Sequence, residues 1–133
     1  MTVLPDTSVW VRYLRHGRTG EAAALEQLLV QRDVVTCGPV VAELLVGTRP
    51  DRRQELAALI DAVPWVEFGR AEWRRSGYVA AALREQGATV ALTDVEIAVA
   101  AEAAGAALWT FDSDFERVAQ LVPMLRLFQP GSA

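Results

Sequence analysis

Five acidic residues stand out, because each lies in an apolar stretch where a strand is predicted to end or a helix to begin. They are Asp6, Glu43, Asp94, Asp112 and Asp114. Such positions converge at one edge of a parallel α/β sheet. Carboxylates that meet there repel one another unless protons or divalent cations lie between them. The pattern therefore indicates a metal-dependent chemistry on phosphate groups.

The all-oxygen character of this set indicates a hard cation, and Mg²⁺ or Mn²⁺ is the natural candidate. Mg²⁺ keeps bound waters and uses a few carboxylates together with substrate phosphate. Such an ion makes a bound water a better nucleophile and offsets the charge on the leaving oxygen. No histidine is needed for this chemistry, which fits a chain whose single histidine is His16.

Each acid also has an ordinary structural explanation. Asp6 and Asp94 could be helix N-caps, Asp112 and Asp114 could be turn residues, and Glu43 could be a solvated helix residue. For any one acid alone we favour that explanation. Taken together the acids are harder to dismiss, because Glu43 is flanked by apolar residues and Asp112 directly follows an apolar strand. A buried carboxylate without a partner is costly, so we expect a partner.

The composition excludes several other classes of site. All 13 basic residues of the 133 are arginines, so a phosphate-binding Walker loop, which requires lysine, cannot be present. One histidine and one cysteine, Cys37, cannot build a zinc site of several Cys and His ligands or an intrachain disulfide. No Gly-x-Gly-x-x-Gly motif is present, so we expect no nucleotide cofactor. Without a visible signal peptide or membrane-spanning stretch, we expect a cytoplasmic protein with no membrane partner.

The charge argues mildly against a general nucleic-acid binder, since the net charge is −4. Arginine pairs at 52–53 and 74–75 could still give a locally positive rim. For any single pair we favour a solvated helix face as the explanation.

The elements that must position the acids alternate along the chain, which predicts an α/β sandwich with a mainly parallel sheet. The apolar and β-branched runs predict strands over 3–5, 34–37, 65–68, 106–110 and 124–128. The helical periodicity predicts helices over 9–14, 21–31, 39–47, 52–62, 71–86 and 94–104, and a short helix after a loop that starts at 112. We expect one domain over residues 1–133, with 129–133 as a loose tail.

Four acid-bearing segments together resemble the signature blocks of PIN-domain ribonucleases, and most closely those of the VapC-type toxins of bacterial toxin–antitoxin pairs. The segments are Asp6-Thr7-Ser8-Val9-Trp10, the stretch around Glu43, Leu92 to Ala98, and Leu108 to Phe115. The resemblance covers nearly the whole chain, in order and at typical spacing. It implies a PIN-like three-layer α/β/α sandwich with a short, mainly parallel sheet.

The resemblance also implies an endoribonuclease that requires Mg²⁺ or Mn²⁺ and hydrolyses RNA phosphodiester bonds through metal-activated water. The family's catalytic acidic quartet matches Asp6, Glu43, Asp94 and Asp112. Asp114 matches a further acid that many members carry, and either Asp112 or Asp114 could join Asp6 and Asp94 as a direct metal ligand. Hydroxyl positions that orient carboxylates or waters match Thr7, Ser8 and Thr110.

The partners that the resemblance implies are an RNA substrate, a second copy of the chain in a homodimer, and a cognate VapB-type antitoxin whose tail fills the acidic groove. The aromatic residues Trp10, Tyr13 and Trp73 are candidates for such contacts, although we favour core packing for each.

Two alternative functions remain open at this point. A non-catalytic PIN-like module that binds RNA or protein is expected to have lost its acids, whereas all of them are present here. A related metal nuclease that acts on DNA or flap structures usually carries extra insertions, for which 133 residues leave little room.

Overall fold

The computed structural model describes residues 1–131, and residues 132 and 133 of the predicted tail lie outside this range. The strands are β1 (Val3–Pro5), β2 (Thr36–Cys37), β3 (Trp65–Val66), β4 (Ala107–Trp109) and β5 (Arg126–Leu127). The helices are α1 (Thr7–His16), α2 (Ala24–Val30), α3 (Gly38–Gly47), α4 (Arg53–Asp61), α5 (Arg70–Glu85), α6 (Leu92–Ala104) and α7 (Asp114–Ala119). Short 3₁₀ turns at Gly17–Thr19 and Pro50–Arg52 precede α2 and α4. The predicted α/β class is confirmed.

Every strand pairing in the described chain is parallel. Strand β4 lies between β1 and β5, and β2 pairs with β3. A bridge between Val3 and Val34 joins the two groups, where the Val35 amide donates to the Val3 carbonyl at 3.0 Å. The resulting order, β3-β2-β1-β4-β5, changes direction between β1 and β4. In open α/β sheets, ligands bind at such a switch point, outside the carboxyl ends of the strands.

Helix α6 is the apolar centre of the molecule. Its residues from Ile97 to Ala101 are all buried, and it packs against α3, α5, α7, β3 and β4. A helix that is apolar on all sides belongs in a core. Gly105 ends α6 in the left-handed region, with φ 64°, and the chain turns directly into β4. Because α6 crosses back between two parallel strands, its amino end lies at the carboxyl edge of the sheet.

An ion pair fastens α5 to this central helix. Arg75 donates to both carboxylate oxygens of Glu102, at 2.6 and 2.9 Å. The interpretation of this arginine pair as a solvated face therefore holds for Arg74, which is exposed, whereas Arg75, with a side chain 42% exposed, also forms an ion pair. Of the helices in the described range, none combines the length and apolar character needed to cross a lipid bilayer.

Candidate active site

Asp6 is the most firmly held carboxylate at the switch point. It directly follows β1, is 4% exposed and is the N-cap of α1. Its Oδ1 accepts from the Ser8 hydroxyl at 2.6 Å and the Val9 amide at 3.2 Å, and its Oδ2 accepts from the Thr110 hydroxyl. Burial raises the pKa of Asp6, and the hydrogen bonds from Ser8 and Thr110 oppose the rise. Capping explains the Val9 contact, but it does not account for the hydroxyl that reaches Asp6 from the end of β4.

The loop after β4 is fastened to this carboxylate by a chain of hydrogen bonds. The Thr110 hydroxyl accepts from the Asp112 amide at 2.9 Å, and Asp112 Oδ1 accepts from the Asp114 amide at 2.9 Å. The Phe111 amide donates to the Ser8 hydroxyl at 3.2 Å. Asp112 thus does close a turn, as its ordinary explanation requires, but its side chain and that of Asp114 remain exposed at the sheet edge.

Glu43 approaches the same edge from α3. Its Oε1 accepts from the Thr7 hydroxyl at 2.7 Å. Although apolar residues flank Glu43 in the sequence, it is exposed, because Val40 and Leu44 take the buried side of the helix and leave Glu43 on its outer side. The expectation that the apolar flanks bury this carboxylate is therefore wrong.

Asp94 lies among the other acids. Helix α6 begins at Leu92, two residues before the predicted start, so Ala91 is the N-cap and Asp94 lies in the first turn. Burial raises the pKa of Asp94 to about 6, with further contributions from repulsion by the neighbouring carboxylates. In decreasing order of effect these neighbours are Asp112, Glu43, Asp6 and Asp114. The five acids therefore share one electrostatic environment and are not scattered over separate surfaces.

The chemistry of this cluster fits a hard divalent cation held partly by other ligands. Within residues 1–131, none of the five carboxylates forms an ion pair with an arginine. In the same range, no group of three Asp, Glu, His or Cys side chains is arranged to hold a metal ion alone. Mg²⁺ commonly binds through one or two carboxylates, with waters and substrate phosphates as its other ligands. An open cluster of unpaired carboxylates suits that mode of binding and does not form a complete protein cage.

Glu96 is a further acid for which the sequence pattern gives no role. It lies two residues after Asp94, about 200° around the helix, so the two side chains point to different sides. Burial and the nearby Glu43 raise the pKa of Glu96. The only sequence signal was its place within an otherwise apolar helix.

The three candidate aromatic contacts divide between the core and the surface. Trp10 is fully buried, and Tyr13 packs against it edge-on with ring centroids 6.4 Å apart, as the core interpretation predicts. Trp73 is 54% exposed, so the core interpretation is wrong for this residue. The helical spacing that places Ser76 and Val79 in the core leaves Trp73 on the outer side of α5.

Residues 3–121 match the family model of the PIN domain. The chain belongs to the PIN domain family. A comparison of the sequence with curated proteins gave no significant match.

Solved structures similar to this PIN domain agree on the fold. A VapBC2 complex from Rickettsia felis, bound to a promoter DNA fragment, matches with a TM-score of 0.75 and 21% identity over 96% of this chain and 98% of that one. DNA-bound VapBC from Salmonella typhimurium matches with a TM-score of 0.76 and 19% identity over 96% and 97%. VapBC-5 from Mycobacterium tuberculosis, a member of the VapBC family of toxin–antitoxin systems, gives 0.65 and 22% over 97% and 99%. The predicted PIN-like fold is confirmed.

Proposed function

We propose that this PIN domain is a Mg²⁺- or Mn²⁺-dependent endoribonuclease and the VapC-type toxin of a toxin–antitoxin pair. The observation that carries the proposal is the buried carboxylate of Asp6, oriented from both strands of the switch point, together with the four further acids that share its electrostatic environment. Membership of the PIN family and the likeness to VapBC structures support it.

The residues expected to hold the ion are Asp6, Asp94 and one or both of Asp112 and Asp114. When bound, the ion would polarise a water for attack on the phosphodiester and offset the charge of the leaving oxygen. Ser8 and Thr110 fix the direction of the Asp6 carboxylate through their hydroxyls. Thr7 holds one oxygen of Glu43, so that the other can accept a hydrogen bond from solvent at the same edge.

The partners proposed for this toxin are RNA, a second copy of the chain and a VapB-type antitoxin. A groove of about 520 Å³ between α1, α3 and α4 has Glu43 in its wall. Its lining combines apolar side chains, among them Leu14, Leu44 and Leu56, with the charged side chains of Arg15, Arg52 and Glu55. An apolar antitoxin segment with a basic residue at its end would fill this groove and pair with the acids. Cys37 is a buried free thiol, which is compatible with the cytoplasmic location that we infer.

The decisive experiment is the digestion of total RNA by the purified chain with Mg²⁺, Mn²⁺ or EDTA. We expect cleavage with either metal, none with EDTA, and none by the Asp6→Asn variant. Asp61→Asn is a matched control, because Asp61 is an exposed aspartate at the end of α4, outside the acid cluster. Cleavage that persists in EDTA would rule out the metal-dependent mechanism, and failure to cut RNA with either metal would rule out the nuclease.

The alternative to this proposal is a non-catalytic PIN-like module that binds RNA or protein, and the same experiment separates the two. A chain that binds Mn²⁺ and RNA without cutting the RNA would support that alternative.

A further inference from the structure

A second concave region lies beside the acid cluster and has a different chemistry. This pocket, of about 470 Å³, has in its lining Cys37 and Ala42 from the β2–α3 side, Trp65, Glu67 and Phe68 at β3, Trp73 on α5, and Glu96 on α6. Its volume is within the range of about 300–1,000 Å³ that is usual for small-molecule sites. We call it the aromatic pocket.

The rings of the aromatic pocket are large and held in place, and its two tryptophans are exposed. Phe68 and Trp73 pack edge to face, with centroids 5.0 Å apart and planes at 80°. The Trp65 indole N–H donates to the Ile60 carbonyl at 3.2 Å, which fixes its ring. Trp65 is 41% exposed and Trp73 54%. Proteins bind unpaired bases by stacking them on exposed aromatic side chains of this kind.

Glu96 supplies a polar group that can select among bases. Within the described range its carboxylate has no hydrogen-bond or ion-pair partner. An ionised carboxylate only accepts hydrogen bonds, and its two oxygens match two neighbouring N–H donors. The Watson–Crick edge of guanine carries an imino and an amino N–H side by side, whereas the other three bases offer donors at one position only.

The aromatic pocket lies at the same sheet edge as the acid cluster. It covers the carboxyl ends of β2 and β3, and Asp6 follows the carboxyl end of β1, the neighbour of β2. Adjacent strands lie about 4.8 Å apart, so the ends of β2 and β3 beneath the pocket are roughly 5–10 Å from the end of β1, where Asp6 lies. Helix α3 contributes to both sites, because Ala42 lines the pocket and the next residue, Glu43, belongs to the acid cluster. A nucleotide next to the phosphate at the acids is therefore near enough to insert its base.

We propose that the aromatic pocket binds an unpaired guanine that flanks the cleaved phosphate, with stacking on Trp73 and recognition of the base edge by Glu96. This inference rests on the proposed ribonuclease function and adds the base that the enzyme reads. The pocket favours a nucleobase over a protein segment because it combines the carboxylate of Glu96 with flat aromatic rings, close to the proposed phosphate site.

The test measures binding and cleavage separately. Four uridine octanucleotides that carry a single central A, C, G or U are titrated in EDTA, and quenching of tryptophan fluorescence reports binding. Trp65 and Trp73 are exposed whereas Trp10 and Trp109 are buried, so quenching reports mainly on the pocket. The same oligonucleotides are then cleaved with Mn²⁺. The variants are Trp73→Ala, Glu96→Gln and, as a matched control, Tyr78→Ala, which removes an exposed aromatic of α5 outside the pocket.

We expect the G-containing RNA to bind and be cut best, and Trp73→Ala to weaken its binding by about 5- to 100-fold. Glu96→Gln should keep overall binding and lose the preference for G, because an amide can accept only one of the two donors. Tyr78→Ala should behave as wild type. Equal binding of the four RNAs, or equal losses in Trp73→Ala and Tyr78→Ala, would overturn the proposal.

Two other outcomes separate this inference from its alternatives. If Trp73→Ala alters the mass measured by light scattering and leaves RNA affinity unchanged, the pocket is an interface between copies and the inference is wrong. If wild type binds the G-containing RNA in the pocket but cuts none of the four RNAs, the ribonuclease function fails while base recognition stands.

Discussion

Asp6 and Glu43 each accept a hydrogen bond from a hydroxyl in the first turn of α1, that of Ser8 and that of Thr7 respectively, yet the two carboxylates are held very differently. Asp6 is buried and accepts three hydrogen bonds from two segments of the chain. Glu43 is exposed and accepts one, from Thr7. A buried carboxylate with three donors keeps one orientation, whereas an exposed one on a helix surface can move. The difference indicates that Asp6 provides a preorganised ligand and that Glu43 adapts to substrate or solvent.

The position of each acid in the sheet explains this contrast. Asp6 lies where β1 and β4 meet, so Thr110 at the end of β4 can reach it although the two are 104 residues apart in sequence. Glu43 lies in the second turn of α3, and the hydroxyl that donates to it belongs to Thr7 on the neighbouring helix α1.

The strongest test of a preorganised Asp6 is the Asp6→Asn variant. We expect its rate of RNA cleavage to fall by about 10²–10³-fold or more, because the ion loses its best-fixed charged ligand. The fold should persist, since asparagine caps helices as well as aspartate does. Single-turnover cleavage with Mn²⁺ measures the rate, and circular dichroism checks the fold. A folded variant that cleaves at the wild-type rate would remove Asp6 from the mechanism.

A second comparison concerns the two acids of the β4 loop. Repulsion from Asp112 is the largest charge effect on Asp94, and that from Asp114 the smallest, which indicates that the charge of Asp112 lies nearer to Asp94. We expect Asp112→Asn to lower cleavage by about 10²-fold and Asp114→Asn by less than about 10-fold. Parallel assays over a Mn²⁺ titration compare them. The opposite order would assign the direct contact with the metal to Asp114.

Replacing Thr110 or Thr7 tests the contrast between the firmly held Asp6 and the exposed Glu43 without removing a charge. Thr110→Val takes a donor from Asp6 and an acceptor from the Asp112 amide, so we expect a loss of about 10–100-fold in metal affinity. Thr7→Val frees only the exposed Glu43, and its effect should be a few-fold at most. Urea unfolding should show a loss of about 1–3 kcal/mol for Thr110→Val and within about 0.5 kcal/mol for Thr7→Val. Equal effects on metal affinity would show that preorganisation of Asp6 does not matter.

Local patterns could predict the acids that follow strands. Asp6 and Asp112 each follow a short apolar run, and the ends of such runs are visible in the sequence. The hydrogen bond between Thr110 and Asp6 could not be predicted from local patterns, because it depends on β4 lying beside β1. The exposure of Glu43 could not be predicted either. Nearly every residue around it is apolar, so the sequence does not show which side of α3 is buried. The start of α6 at Leu92 could not be predicted from capping preferences, because the N-cap is Ala91, whose side chain cannot form a capping hydrogen bond.

Asp94 is repelled both by the buried Asp6 and by the exposed acids. The last prediction concerns the effect of this residue on the stability of the fold. Its pKa is about 6 in the folded chain against an ordinary 3.8, so the folded state binds more protons than the unfolded state between these values. Stability should therefore fall as the pH rises through about 4 to 6, and the loss is complete at pH 7 in EDTA.

Asp94→Asn removes a charge that burial disfavours most and that the neighbouring acids repel, so it should stabilise the chain at pH 7.5 by about 1 kcal/mol. This is less than the full shift would imply, because the half-exposed carboxylate is screened by water. At pH 4 the two proteins should differ little, since Asp94 is then largely protonated when folded. Urea unfolding in EDTA at both pH values measures the difference, with Asp61→Asn as the control. If Asp94→Asn is less stable than wild type at pH 7.5, the acids do not strain one another in the absence of metal. The negative charges of the cluster would then need no cation to offset them.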